Sequence, residues 1–203
     1  MIATSCYCSP LHAYDEVGVT EYNNATFVHH PNTLRHVVKK IYQLPEVQEL
    51  LSKAQNDGRI GIDYWRGPQF QAYWDSYQRM ILLNPNQNRT EGSCISSILF
   101  ELHNATTNRE FNRLRNLVTN GRIGKEEYVE SVERLEHQNA LSTCRILRKG
   151  IRQGIFPRNA AWSVYDNFDQ HYHVQRICGH SAWIAKSYDQ LAFSRRTTPR
   201  SRV

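Results

Sequence analysis

Apolar residues recur at helical spacing through Leu34, Val37, Val38, Ile41 and Tyr42, which predicts a helix, because positions three and four apart share one face. Pro45 then opens a second short helix carrying Val47, Leu50, Leu51 and Ala54, and Gly58 ends it. From Ile60 the period shortens to two. Ile60, Ile62 and Tyr64 alternate with Arg59, Gly61 and Asp63, the pattern of a half-buried strand closed by Gly67 and Pro68. Residues 70–74 and Met80–Leu83 read as two further β-like stretches around the polar residues 75–79. A small antiparallel β-element of two or three strands is the expectation.

Beyond Asn84 and Pro85 the helical period returns. Thr90 or Ser93 is placed to cap a helix over residues 93–118 that carries Ile95, Ile98, Leu99, Leu102 and Ala105, then Phe111, Leu114, Leu117 and Val118. Asn120 and Gly121 stop it, and residues 125–149 form the clearest single helix, with Val129, Val132, Leu135, Ala140 and Leu147 on its apolar side. A short turn between the two predicts an antiparallel helical hairpin. A last helical region over 165–193 is interrupted near Gly179. The fold class expected is therefore α+β, mainly helical, with several helices around a central hairpin. Residues 1–30 show no sustained period and read as an irregular arm, 31–193 as one globular domain and 194–203 as a flexible basic tail.

Composition narrows the function classes. With 203 residues, 40% of them hydrophobic, the chain has enough apolar surface to offset the entropy of folding. No apolar run reaches the roughly 18 residues of a membrane span, and residues 1–10 have neither the basic start nor the apolar stretch of a Sec signal. The net charge of +6 is concentrated at one end, since Arg195, Arg196, Arg200 and Arg202 supply four of the six charges. The rest carries about +2, an ordinary surface value, so nucleic acid is not an expected partner. Five widely spread cysteines, Cys6, Cys8, Cys94, Cys144 and Cys178, do not form a disulfide framework and read as reduced thiols.

The stretch richest in chemistry runs from Met80-Ile81-Leu82-Leu83-Asn84-Pro85, through a short loop, to Phe100-Glu101-Leu102-His103-Asn104-Ala105. A strand of this kind followed by a helix reading F-E-L-H-N-A resembles the zincin metallopeptidase core of small secreted bacterial effectors, whose helix carries H-E-x-x-H-A. The resemblance covers about thirty residues. It sets Phe100 where the first zinc-binding His stands, Glu101 at the general base and Asn104 at the second His. Zinc peptidases need imidazoles at i and i+4 on one face of the helix, and His103 lies about 100° around the helix from Asn104. No metal ligand and no cofactor are therefore assigned.

Glu101 borders the apolar stripe of its helix, and Glu136 falls with Val129, Val132 and Ala140 on the later one, flanked by Glu133 and His137. Were these helices a hairpin, Glu101, Glu136 and His137 would be the catalytic candidates, and Asn104, Glu133 and His103 the surrounding polar cluster. The plainer alternative is a set of buried polar groups satisfying one another. His171, His173 and His180 offer further ligands or a pH-sensitive surface, and are read as polar-surface histidines; the i,i+2 spacing of the first two suits one ion only on a strand. The resemblance implies a virulence effector that binds a host or secretion-system protein, secreted without a Sec signal and delivered into a host cell, or else cytoplasmic. The competing function is a hydrolase with a nonstandard metal or acid–base centre around Glu101 and Glu136.

Overall fold

The computed structural model describes residues 18–22, 25–29, 34–65 and 70–197. In chain order its elements are β1 (Gly18–Tyr22), β2 (Ala25–His29), α1 (Arg35–Ile41), α2 (Pro45–Gln55), β3 (Ile60–Tyr64), β4 (Ala72–Asp75), β5 (Met80–Leu83), α3 (Glu91–Thr106), α4 (Asn108–Thr119), α5 (Lys125–Arg152), α6 (Phe168–Ile177) and α7 (His180–Thr197). The protein is α+β and mainly helical. Its elements divide into two compact units, one of Met1–Thr106 with Asn139–Ser163 and one of Thr107–Gln138 with Val164–Val203. Residues 31–193, read from the sequence as one domain, thus hold two clusters of contacts, and α5 gives residues 125–138 to one and 139–152 to the other.

The first unit holds a five-stranded sheet in the order β1-β2-β3-β5-β4. It is mixed rather than antiparallel: β2 pairs β3 in parallel and β3 pairs β5 in parallel, while β1–β2 and β4–β5 are antiparallel. Parallel neighbours require a crossover, supplied between β2 and β3 by α1 and α2. The arm expected over 1–30 is corrected at Gly18–Tyr22 and Ala25–His29, which are strands; the remainder of that arm lies outside the described residues. Helix α3 packs on α1, α2, β4 and β5. The core between them gathers Leu34, Val38, Ile41, Leu51, Ile60, Ile62, Ile81, Leu83, Ile95, Ile98, Leu99 and Leu102, with Leu147 and Phe156 added from the later segment. At Gly150 the backbone meets the Phe156 ring so closely that a Cβ would stand 2.1 Å from its Cδ2.

Local chemistry explains the ends of these elements. Thr90 and Ser93 exchange side-chain and backbone hydrogen bonds at 3.1 Å in both directions, a reciprocal box that starts α3. Pro45 sits in the first turn of α2. At the other end of α2, the Arg79 guanidinium donates to the carbonyl oxygens of Ala54 (2.7 Å) and Gly58 (2.9 Å), closing groups that the helix leaves open. Arg79 itself adopts φ 55° in the β4–β5 turn, a left-handed conformation held by those bonds and by the Trp74 ring 5.5 Å away.

The helix expected over 93–118 is two helices, broken at Thr107 (φ −94°, ψ 14°), where the adjacent β-branched Thr106 and Thr107 and the following Asn108 disfavour a continued turn. The second unit contains α4, residues 125–138 of α5, α6 and α7, with α7 packed on α4 and α6. Its apolar core is Phe111, Val118, Ile123, Tyr128, Val129, Val132 and Ile184. Tyr188 lies against Tyr128 and donates to the Ile123 carbonyl at 3.3 Å, while Lys125 pairs with Asp189 at 2.6 Å. Helix α7 continues through Thr197, so the first residues of the expected tail are helical, and 198–203 lie outside the described residues. No helix among the described residues is long and apolar enough to cross a membrane. Cys94 and Cys144 are buried free thiols, the latter donating to the Trp162 carbonyl at 3.1 Å.

Candidate functional site

The six residues singled out from the sequence fall into two groups, one in each unit. In the first unit the peptidase-like stretch of α3 is packed as structure. Phe100 is 8% exposed and stacks on Trp162, ring centroids 4.3 Å apart and planes within 17°. Asn104 donates from Nδ2 to Glu101 Oε2 at 2.9 Å, and Asn139 Nδ2 donates to Asn104 Oδ1 at 2.9 Å. All three polar side chains are buried, so the carboxylate of Glu101 is answered by an amide chain. An aromatic ring and an amide at the positions of the two imidazoles are not a zinc donor set, and no hydrolytic step is assigned to this helix.

His103, on the same helix but turned away from Asn104, has a different environment. Burial and the Arg145 guanidinium push its pKa down to about 4, leaving it neutral near pH 7. It lines a cleft of about 620 Å³ between α2 and the later half of α5, together with Lys53, Arg145, Arg148, Lys149 and Arg152. Glu46 and Glu49 are the acids of this cleft, and they are engaged by Lys149 and by Lys53 (2.7 Å) respectively. No carboxylate pairs with Arg145, Arg148 or Arg152 among the described residues. Spaced three and four apart, these arginines form one exposed stripe on α5.

The second unit assembles Glu133, Glu136 and His137 with histidines that the sequence reading left on the surface. Glu133 and Glu136 are one turn apart on α5 and buried to 0% and 7% exposure. Gly179, at φ +86°, makes the left-handed turn from α6 into α7 that only glycine adopts readily, and His180 and Ser181 follow it. His180 Nδ1 lies 3.0 Å from Glu133 Oε1 and Nε2 lies 3.4 Å from Glu136 Oε2. Ser181 Oγ donates to Glu133 Oε1 at 2.6 Å. Burial disfavours the charged form of His180, but the carboxylates of Glu136 and Glu133 outweigh it and raise the pKa. His171, also buried, is pushed the other way by burial and by its neighbour His137, whose ring centroid is 4.8 Å away. His137 Nε2 sits 2.7 Å from the Tyr165 carbonyl oxygen, and Phe168 packs beside it beneath the Arg134 guanidinium.

Comparison with protein families, with curated proteins and with solved structures finds no match. The two sites therefore rest on their own geometry. Glu101 and Asn104 meet, as their one-turn spacing predicts. Glu133, Glu136 and His137 belong to the other unit, where the partners of the acids include His180 and Ser181. The assignment of His171 and His180 to the surface is corrected, whereas His173 is exposed. Because α6 is a helix, His171 and His173 point apart, so the i,i+2 spacing was the wrong signal. A better one was an imidazole immediately after a helix-breaking glycine, where a turn brings it back toward a neighbouring helix.

Proposed function

We propose that the chain acts by holding an acidic segment of a partner protein in the cationic cleft of the first unit, and that it does not cut peptides at α3. The observation that supports this is the stripe of Arg145, Arg148 and Arg152, which lines the cleft with no carboxylate paired to it among the described residues while the two local glutamates are already engaged. Guanidinium groups held on one helical face match carboxylates well, because each offers a planar fork of donors. The zincin-like stretch gives the context: a secreted, effector-type protein whose peptidase positions have become packing, with a host or secretion-system protein as the partner.

Binding of a fluorescent Glu- and Asp-rich peptide, followed by anisotropy, tests the reading. Tight binding at low salt that weakens as ionic strength rises is expected. Reversing Arg148 and Arg152 to Glu should weaken it at least about tenfold, roughly 1.4 kcal/mol, with the melting temperature nearly unchanged because both side chains are exposed. Equal affinity in the reversed variant would reject the cleft. Peptide hydrolysis abolished by Glu101→Gln would reject the non-catalytic reading of α3.

A further inference from the structure

Burying two glutamates beside one another is costly unless something positive lies between them. In the second unit that position belongs to His180, whose two ring nitrogens face one carboxylate each. Among the described residues, Glu133 Oε2 is fully buried and has no hydrogen-bond partner, although Oε1 of the same carboxylate has two. His171 Nδ1, on a side chain that is 6% exposed, is likewise without a partner. A buried carboxylate oxygen left unanswered within such a cluster is what a cation site leaves when only the protein atoms are considered.

We propose that Glu133, Glu136 and His180 bind one divalent transition-metal ion of the Zn2+ class. One donor atom from each of the three lies within 4.8 Å of the other two. The 3.4 Å separation of His180 Nε2 and Glu136 Oε2 matches the edge of a tetrahedron with metal–ligand bonds of about 2.0–2.1 Å, which is about 3.3 Å. Glu133 Oε1 is engaged by His180 Nδ1 and Ser181 Oγ, so Oε2 of the same carboxylate is the oxygen it offers the ion. Two carboxylates and a neutral imidazole balance a 2+ ion, and the centre becomes neutral.

The donor chemistry selects the ion. A mixed nitrogen and oxygen set without thiolate suits Zn2+ and its first-row neighbours, whereas Ca2+ and Mg2+ favour oxygen alone. Three protein donors leave a tetrahedral ion one position for water. This site is independent of the cleft of the first unit, and neither result decides the other.

The full-length chain, stripped by chelator and desalted, is titrated with Zn2+ by calorimetry and melted with and without the ion. A single saturable equivalent and a rise in Tm are expected in the wild-type chain, because an ion bound by the folded state alone stabilises it. Both should disappear in Glu136→Gln and in His180→Ala, whose folding is checked by circular dichroism before titration. Should either variant fail to fold, the wild-type chain loaded with Co2+ decides: d–d absorption bands without thiolate charge transfer support imidazole and carboxylate ligands. The proposal is overturned by no saturable Zn2+ binding to the folded wild-type chain, by an undiminished equivalent in the folded variants, or by a thiolate band with Co2+.

Discussion

The two units solve the problem of buried polarity in opposite ways. In the first, a broad apolar core tolerates Glu101 because side-chain amides of Asn104 and Asn139 extend from it in a neutral chain. In the second, seven buried apolar residues share the described interior with five buried polar ones, Glu133, Glu136, His137, His171 and Ser181. The apolar share is too small to make that interior a simple hydrophobic core. Charge balance among titratable groups does there what packing does in the first unit, so ions should act on the second unit and changes of volume on the first, while protons act on both with opposite signs.

The largest expected effect tests the packing side. Leu102, with no exposed surface, changed to Asp should destabilise the protein by about 4 kcal/mol or more, as an unpaired charge in a close-packed core; a denaturant midpoint equal to the wild type's would break the comparison. Histidine titration comes next, because the two units predict opposite signs. His103, neutral and held at about 4, binds its proton later than the unfolded chain does, so stability falls as pH drops from the ordinary 6.5 toward 4, by up to roughly 3 kcal/mol. His180, with its pKa raised, contributes stability that is fully present below 6.5 and lost as pH rises through its folded value. Stability measured against pH in His103→Gln and His180→Gln should flatten the acidic limb in one and the limb above pH 6.5 in the other. The same limb flattening in both variants would erase the distinction.

Gly150→Ala sharpens the contrast at the level of single atoms. The new methyl group would enter the Phe156 ring, at a cost of about 1–3 kcal/mol, whereas Gly124→Ala, with nothing within 4 Å, should melt near the wild-type temperature. The smallest effect concerns the amide chain. Asn104→Ala and Asn139→Ala, singly and together, should show a coupling of about 0.5–1.5 kcal/mol in a double-mutant cycle, and strict additivity would mean their hydrogen bond contributes nothing.

What could be read in advance follows the range of the forces involved. The start of α2 at Pro45, the cap of α3 at Thr90 and the strand at Ile60–Tyr64 are local, and each is found where the pattern puts it, although Gly61 is buried along with Ile60 and Ile62 instead of alternating with them. Thr107 shows the limit of periodicity, since apolar spacing runs across it while two adjacent threonines break the helix. The pairing of β2 with β3 and of β3 with β5 depends on residues far apart, so a short apolar run cannot reveal that its neighbour is parallel. For β1 and β2 a local signal existed: Val19-Thr20-Glu21-Tyr22 and Ala25-Thr26-Phe27-Val28 are rich in β-branched and aromatic residues on either side of Asn23-Asn24. In the site, Glu101 and Asn104 were legible at three residues' separation, whereas His180 meets Glu133 across 47 residues. Helical periodicity marked Glu136 as inward-facing; only the fold could say what it faces.

Each unit is stitched from two separated stretches of chain, and this gives their assembly a fixed schedule during translation. The first cannot close until Asn139–Ser163 has left the ribosome. By then Thr107–Gln138 has already been made, with Glu133 and Glu136 still in water, because His180 and Ser181 belong to a segment synthesised later. A nascent chain stalled before Gly179 would therefore carry two solvated acids in place of a buried centre.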